Sequence, residues 1–149
     1  MKSKKAPKKG EGRGGREMHY SVGAVIKRNN KYLLIGRSIF PKGFAGIAGH
    51  VDKNENETDA LIREVKEESG LNIVSFKLLY QGELDWNECV MGVGVHYWYL
   101  FKCEVEGKVK KNHEAKSIGW YSPEDIKELY KKKKLEKVWI FWFRKLGVL

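Results

Sequence analysis

The segment from Gly49 to Leu71 constrains the fold most, because the chain changes there from a glycine-rich loop into one amphipathic helix. Charged residues fill one side of residues 57–69, and apolar residues recur on the other side at helical spacing. Asn54 or Asn56 is the expected N-cap, and Gly70 is suited to the left-handed backbone that ends many helices. The apolar stripe consists of Ala60, Leu61 and Val65.

The stretches around this helix are rich in residues that favour β-strands. Residues 20–26 and 32–35 flank Asn29-Asn30, which is a turn signal and predicts a hairpin. Further strands are predicted at 47–51, 73–83, 90–105 and 117–121. Ser122, followed by a proline and two acids, is typical of a helix start. The sequence therefore predicts one α/β domain.

Three glutamates on the helix, Glu64, Glu67 and Glu68, lie three or four residues apart. This spacing places their carboxylates on one helix face, where they repel each other. A divalent cation is the natural compensating charge, and oxygen ligands favour Mg²⁺, Mn²⁺ or Ca²⁺ over Zn²⁺. A solvent-facing charged surface is the simpler interpretation of the helix alone, so the surrounding residues decide.

The surrounding residues complete the pattern G-x5-E-x7-R-E-U-x-E-E-x-G-U, in which U is a bulky aliphatic residue. Its nine specified positions are Gly49, Glu55, Arg63, Glu64, Val65, Glu67, Glu68, Gly70 and Leu71. This pattern is the Nudix box, and the chain resembles the MutT-like Nudix hydrolase family over about residues 18–130. The resemblance implies an α/β/α sandwich around a mixed β-sheet, with the box forming a loop, helix and loop.

The resemblance also implies roles for the residues of the box. Glu64 and Glu68 are expected metal ligands, and Glu67 is expected to bind metal directly or through water. Arg63 is expected to orient the glutamates through an internal ion pair. The carbonyl group of Ala48 is a further expected ligand, although Ile47-Ala48-Gly49 replaces the common Pro-Gly-Gly entry and so changes the expected loop geometry.

Outside the box, Glu114 matches a distant glutamate that many family members place before a tryptophan-containing strand, here at Trp120. It is predicted to be a general base or an extra ligand, and a solvated loop position is the alternative. His113 beside it is a weaker candidate.

The predicted activity is Mg²⁺- or Mn²⁺-dependent hydrolysis of a diphosphate linkage in a nucleoside diphosphate derivative. The box does not report the substrate; the basic N-terminus favours a nucleotide polyphosphate or an RNA 5′ end. No substrate-binding residue is assigned. Aromatic residues that would suit base stacking, but more often belong to a core, are Phe40, Phe44, Trp86, Tyr97 and Trp98.

Two alternatives to this activity remain open. One is a non-catalytic Nudix-fold module that binds nucleotides or RNA. The other is isopentenyl diphosphate isomerase, which ranks last because no cysteine and histidine pair stands where that chemistry expects its acid.

Basic residues exceed acidic ones by 29 to 19, a net charge of +10, and residues 1–16 carry +6 of it. These residues are predicted to form a disordered basic tail, with RNA contact as the functional alternative. Residues 17–149 are predicted to form the single domain, ending in an extra amphipathic helix around 135–146. That helix is expected to pack on the sheet, and a homodimer face is the alternative.

Cys89 and Cys103 have neither a CxxC spacing nor histidines beside them in the sequence. We therefore expect free thiols rather than a zinc site or a disulfide. No apolar run approaches the roughly 20 residues of a membrane span, and no signal peptide is evident. The expected location is cytoplasmic.

Overall fold

The computed structural model describes residues 5–149. Its strands are β1 (Lys9–Glu11), β2 (Glu17–Arg28), β3 (Lys31–Arg37), β4 (Gly43–Ala45), β5 (Ile47–His50), β6 (Asn72–Leu84), β7 (Val95–Glu106) and β8 (Ala115–Tyr121). Its α-helices are α1 (Glu57–Ser69), α2 (Pro123–Lys131) and α3 (Lys137–Lys145).

Strand β2 organises the sheet, because it pairs with four other strands. It runs parallel to β7, from Met18 opposite Val95 to Ile26 opposite Cys103. Its other edge pairs antiparallel with β1 and then with β5. Strand β6 lies antiparallel outside β7, whereas β3 continues from β2 and pairs with β4 and β8. The sheet is mixed, as the resemblance implied.

Alternate side chains of β2 feed two hydrophobic cores, one on each face of the sheet. Val22, Ala24 and Ile26 pack in the cluster that contains the apolar stripe of α1. Val25 packs in the other cluster, which contains residues of α2 and α3. Helices therefore cover both faces, and the predicted α/β/α sandwich is confirmed.

Local signals explain where the elements adjoining the site begin and end. Asn29 and Asn30 both have positive φ angles, 52° and 59°, which suits the tight turn between β2 and β3. The side chain of Asn56 accepts a hydrogen bond from the backbone N–H of Asp59 and caps α1. Gly70 ends α1 at a φ of 75°, in the left-handed region that favours glycine.

The N-terminal segment differs from the prediction. Residues 5–16 are not a disordered extension: β1 pairs with β2, and the backbone N–H of Lys8 donates to the carbonyl oxygen of Val51 at 2.8 Å. The backbone N–H of Lys53 donates to Ala6 at 2.8 Å. The prediction of a disordered tail was wrong for these residues. Their sequence has no alternation of apolar and polar residues to indicate a strand, but the backbone can form strand hydrogen bonds without it. Residues 1–4 lie outside the described part of the chain.

Helix α3 packs on the sheet, as the sequence analysis predicted. Its buried face consists of Val138, Trp139, Trp142 and Phe143. Its aromatic residues therefore belong to the hydrophobic core on the face of the sheet opposite α1. Among residues 5–149, no helix is long and apolar enough to span a bilayer.

Candidate active site

Arg63 is the centre of the box. Its Nε and Nη2 donate to the two oxygens of Glu55 at 2.8 and 2.9 Å, and its Nη1 donates to Glu64 at 2.8 Å. Nη2 also donates to the carbonyl oxygen of His50 at 2.9 Å. Burial disfavours the guanidinium charge, but the hydrogen bonds and the carboxylate charges outweigh it and raise the pKa of Arg63. The arginine therefore stays charged and fixes helix α1 to the loop before it.

Several carboxylates surround Arg63. Arg63 lies within 4 Å of four of them, those of Asp52, Glu55, Glu64 and Glu67. Glu64 and Glu68 are buried, with 2% and 6% of their surfaces exposed. Closely grouped, buried carboxylate oxygens suit a hard divalent cation such as Mg²⁺ or Mn²⁺.

Gly49 explains why the box begins with a glycine. A Cβ atom built on Gly49 would overlap the carboxyl group of Glu64. The glycine thus lets the Glu64 carboxylate lie against the backbone next to Ala48, where a carbonyl ligand is expected. Residues 47–50 pair regularly with β2. The box therefore begins in a strand, although Ile47-Ala48-Gly49 replaces the common Pro-Gly-Gly.

Glu114 approaches the box from the loop between β7 and β8. That loop is attached to the end of α1, because Asn112 donates a side-chain hydrogen bond to the carbonyl oxygen of Glu67 at 3.2 Å. The side-chain oxygen of Asn112 also accepts from the backbone N–H of Glu114 at 3.0 Å. Glu114 and Glu68 line the same small cavity, which Arg37 also borders. This position suits a residue acting beside the box glutamates.

A larger cavity of about 160 Å³ lies beside the box and is lined in part by Ala48, Gly49 and Arg37. Two of the five aromatic residues considered for base stacking, Phe40 and Trp98, also line it. The other three make ring contacts elsewhere: Phe44 with Tyr121, Trp86 with Phe141, and Tyr97 with Tyr20 and Tyr99.

The same cavity borders a cluster that the sequence did not reveal, formed by His19, His50, His96 and Cys89. Each residue offers one ligand atom, and these atoms all lie within 4.8 Å of one another. Both cysteines are free thiols, as expected. Cys89 has histidine neighbours in the structure although none stands beside it in the sequence, because the fold brings together residues that are far apart along the chain.

Burial keeps two of these histidines from holding a proton. Burial and, to a smaller extent, the neighbouring His19 lower the pKa of His96 to about 4, and a hydrogen bond with the backbone of Asn87 partly opposes the shift. Burial also lowers the pKa of His19, against the opposing effect of Glu17. Both rings are therefore neutral at neutral pH, which is the form that binds metals.

Comparisons with known proteins agree with the fold and the box. A family model for the NUDIX domain matches residues 17–143. A curated relative, putative nudix hydrolase 1 of Caenorhabditis elegans, is 34% identical over 120 residues, covering 74% of this chain and 30% of that protein. The chain thus spans less than a third of the length of that relative.

Solved structures share the architecture. The NUDIX hydrolase from Nitrosomonas europaea has a TM-score of 0.70 and 21% identity, over 86% of this chain and 87% of that one. An Ap4A hydrolase from C. elegans, solved as a binary complex, has a TM-score of 0.57 and 26% identity, over 75% and 85% of the two chains. The sandwich and the box together are those of a NUDIX domain. The chain belongs to the NUDIX domain family.

Proposed function

We propose that the chain hydrolyses a phosphoanhydride bond in a nucleoside diphosphate derivative, with a nucleotide polyphosphate or an RNA 5′ end as its substrate. The observation that carries the proposal is the buried group of box carboxylates organised by Arg63 beside a cavity. Carboxylates that converge on one face of a helix supply the oxygen ligands that a divalent cation prefers.

The residues that would hold Mg²⁺ or Mn²⁺ are Glu64, Glu67 and Glu68, with the carbonyl group of Ala48. When bound, the ion supplies charge neutralisation of the diphosphate and acidifies the attacking water. Arg63 keeps the glutamates in position through its bonds to Glu55 and to the His50 carbonyl. The donor set is all oxygen, so it fits these ions better than Zn²⁺.

Glu114 is the proposed general base, because it lines a cavity with Glu68 and its loop is fixed to the end of α1. In this role its carboxylate orients the attacking water and accepts its proton. Glu67 is the alternative base, since it is less buried than Glu64.

Arg37 is the proposed contact for the phosphates, because it borders both the small cavity and the larger one. A guanidinium between the two cavities would hold a phosphate chain that extends from one into the other. The likeness to an Ap4A hydrolase supports a substrate with several linked phosphates.

A substrate panel tests the proposal directly. The full chain is incubated with nucleoside triphosphates, dinucleotide polyphosphates, nucleotide sugars and capped or 5′-triphosphate RNA, each with Mg²⁺ or Mn²⁺. We expect metal-dependent release of phosphate, pyrophosphate or a nucleotide from at least one of them. Glu68→Gln is expected to lower kcat by about 100-fold or more, because it removes a ligand that acts on the reacting phosphate.

Asp59→Asn is the matched control, since it removes one exposed carboxylate from the same helix. Turnover that survives Glu68→Gln at the level of Asp59→Asn would contradict the metal assignment. Salt-sensitive RNA binding without hydrolysis of any substrate would instead favour the non-catalytic module. Isomerisation of isopentenyl diphosphate would favour the remaining alternative.

A further inference from the structure

The cluster of His19, His50, His96 and Cys89 lies on the other face of the sheet from the box glutamates. On β5, the Cα atom of Gly49 faces Glu64, so His50 next to it points to the opposite face. His19 and His96 stand directly opposite each other on β2 and β7. The cluster is therefore separate from the expected Mg²⁺ site, although both adjoin β5.

Three neighbouring strands bring the imidazoles together at close range. The rings of His50 and His96 stack with centroids 5.5 Å apart, and the ring of His19 meets that of His50 edge-on at 4.9 Å. The Sγ atom of Cys89 lies 3.9 Å from Nδ1 of His19. In a tetrahedral zinc site, ligand atoms are about 3.3–3.6 Å apart, so a small inward movement completes the geometry.

Ordinary core packing does not account for this cluster. His19 and His96 are 0% and 1% exposed. Among the residues that the structure describes, none forms a hydrogen bond of normal length and angle with either ring nitrogen of His96. A buried polar atom in that state costs free energy unless a ligand satisfies it.

The contacts of Glu17 and of the turn at Cys89 also suit a metal. A carboxylate oxygen of Glu17 lies 3.5 Å from Nε2 of His19, which leaves Nδ1 facing the sulfur. A carboxylate in this position typically orients a metal-binding histidine. Cys89 is presented by a tight turn, in which the backbone N–H of Cys89 donates to Val93 at 3.1 Å and that of Gly92 donates to Cys89 at 2.9 Å.

We propose that His19, His50, His96 and Cys89 form a second metal site, which binds Zn²⁺ and fastens the loop between β6 and β7 beside the substrate cavity. Three neutral imidazoles and one thiolate match the ligands that Zn²⁺ prefers. Four protein ligands leave no open position, so the ion is structural rather than catalytic. The loop residues Asn87 to Val90 line the cavity, so the metal shapes the pocket that receives the substrate.

Metal titration of the full chain tests the proposal without any assay of hydrolysis. The reduced, metal-free protein is titrated with Co²⁺ and with Zn²⁺ in competition with a chromophoric chelator. We expect one tightly bound ion per chain, and with Co²⁺ a thiolate charge-transfer band and intense visible bands of a tetrahedral complex. Weak binding that the chelator abolishes would overturn the proposal.

Matched variants assign the ligands. Cys89→Ser is expected to abolish the charge-transfer band and to weaken Zn²⁺ binding by at least 100-fold, whereas Cys103→Ala removes the other thiol and keeps the band. Glu17→Gln is expected to weaken Zn²⁺ binding by about 10-fold or more, as loss of a second-sphere partner does. Because Cys89 is only half-buried in a turn, Cys89→Ser decides the matter even where a histidine variant fails to fold.

Glu68→Gln separates this proposal from the proposed hydrolysis. It changes the box and is expected to leave the Co²⁺ spectrum intact. A charge-transfer band that persists in Cys89→Ser, or that disappears in Cys103→Ala, would contradict the proposed ligands. Hydrogen exchange in residues 85–94 should slow on adding Zn²⁺, and an unchanged rate would contradict the fastening of the loop.

Discussion

Gly49 has no side chain where the carboxyl group of Glu64 lies against the strand. Helix α1 and strand β5 can approach this closely only at a glycine, and the approach brings the carboxylate to the backbone beside Ala48. The spacing between Gly49 and Glu64 in the box thus has a steric cause, in addition to the chemical role expected of the glutamate.

Gly49→Ala is expected to displace the Glu64 carboxylate. Overpacking at such a site costs about 1–3 kcal/mol of the free energy of unfolding. Displacement of a catalytic group by about 1 Å costs roughly 100-fold in rate, so kcat should fall by about that factor. Denaturant unfolding and steady-state kinetics on the active substrate measure the two effects.

Gly119→Ala provides the control for this variant. A Cβ atom at Gly119 would meet only Tyr121, at an ordinary contact distance of 3.6 Å. Activity of Gly49→Ala equal to that of Gly119→Ala would refute the steric role of Gly49.

Arg63→Lys keeps the positive charge but removes the planar fork that binds Glu55 and the His50 carbonyl. We expect kcat to fall by about 10- to 100-fold, because the glutamates that bind the metal lose the side chain that orients them. The free energy of unfolding should fall by about 2–4 kcal/mol. Lys66→Arg, the reverse change at an exposed site of α1, is the control. An unaffected affinity for activating Mg²⁺ in Arg63→Lys would count against the positioning role.

The sequence predicted the box residues and missed the histidines for a physical reason. The glutamates share one helix, where spacing alone determines which side chains are neighbours. His19, His50 and His96 lie on three strands, and only the pairing of β2 with β5 and β7 makes them neighbours. Nothing in the sequence specifies that pairing.

At the scale of elements, strand β1 shows a similar limit. Its residues Lys9, Gly10 and Glu11 carry no apolar alternation, yet their backbone pairs with β2. Helix α1 and the hairpin of β2 and β3 were predictable, because each carries both an apolar period and a turn or cap signal. Elements that depend on backbone hydrogen bonds alone give no such pattern.

Deleting residues 1–16 tests the placement of β1. The deletion removes the pairing with β2 and the backbone bonds to Val51 and Lys53, so the free energy of unfolding should fall by about 2 kcal/mol or more. Urea unfolding measures it, with deletion of residues 1–4 for comparison. If both truncated proteins match the full chain, residues 5–16 behave as the disordered tail that the sequence predicted.

The N-cap of helix α3 is a buried acid, Glu136, whose side chain accepts a hydrogen bond from the backbone N–H of Val138 at 3.0 Å. Burial raises the pKa of Glu136, and this outweighs the opposing effects of that hydrogen bond and of Arg37. A carboxyl group with a raised pKa in the folded state takes up protons on folding, so its contribution to stability falls as pH rises through the interval above its ordinary value of about 4.3.

Glu136→Gln should remove this dependence. Relative to the unaltered protein, the variant should become progressively more stable as pH rises from about 4 to 7, because the buried charge is absent. Urea unfolding at several pH values measures the difference. A difference that is constant across this range would show that Glu136 does not titrate differently on folding.

At the scale of the whole molecule, the two faces of the sheet carry different chemistry. The α1 face presents buried carboxylates, and the α3 face presents imidazoles and a thiol. The N-terminal segment adds a third feature, because β1 runs along β2 and residues 5–8 lie beside the box loop. The positive charge of Lys5 favours the charged form of the Glu55 carboxyl group. Pro7 forms an isolated antiparallel β-bridge with Asp52. Basic residues of the N-terminal segment therefore lie next to the loop that precedes α1.

This charge distribution predicts different salt dependence for short and long substrates. Under the proposed function, a nucleotide would occupy only the cavity, whereas RNA extending from the site would also contact Lys5, Lys8 or Lys9. Each phosphate neutralised on a single strand adds about 0.7 to the slope of log affinity against log salt. We expect KM for 5′-triphosphate RNA to rise more steeply with salt than KM for a nucleoside triphosphate. Changing these three lysines to glutamine should bring the RNA slope down to the nucleotide slope while leaving kcat for the nucleotide unchanged. Equal slopes for the two substrates in the unaltered protein would show that the basic segment makes no contact with RNA.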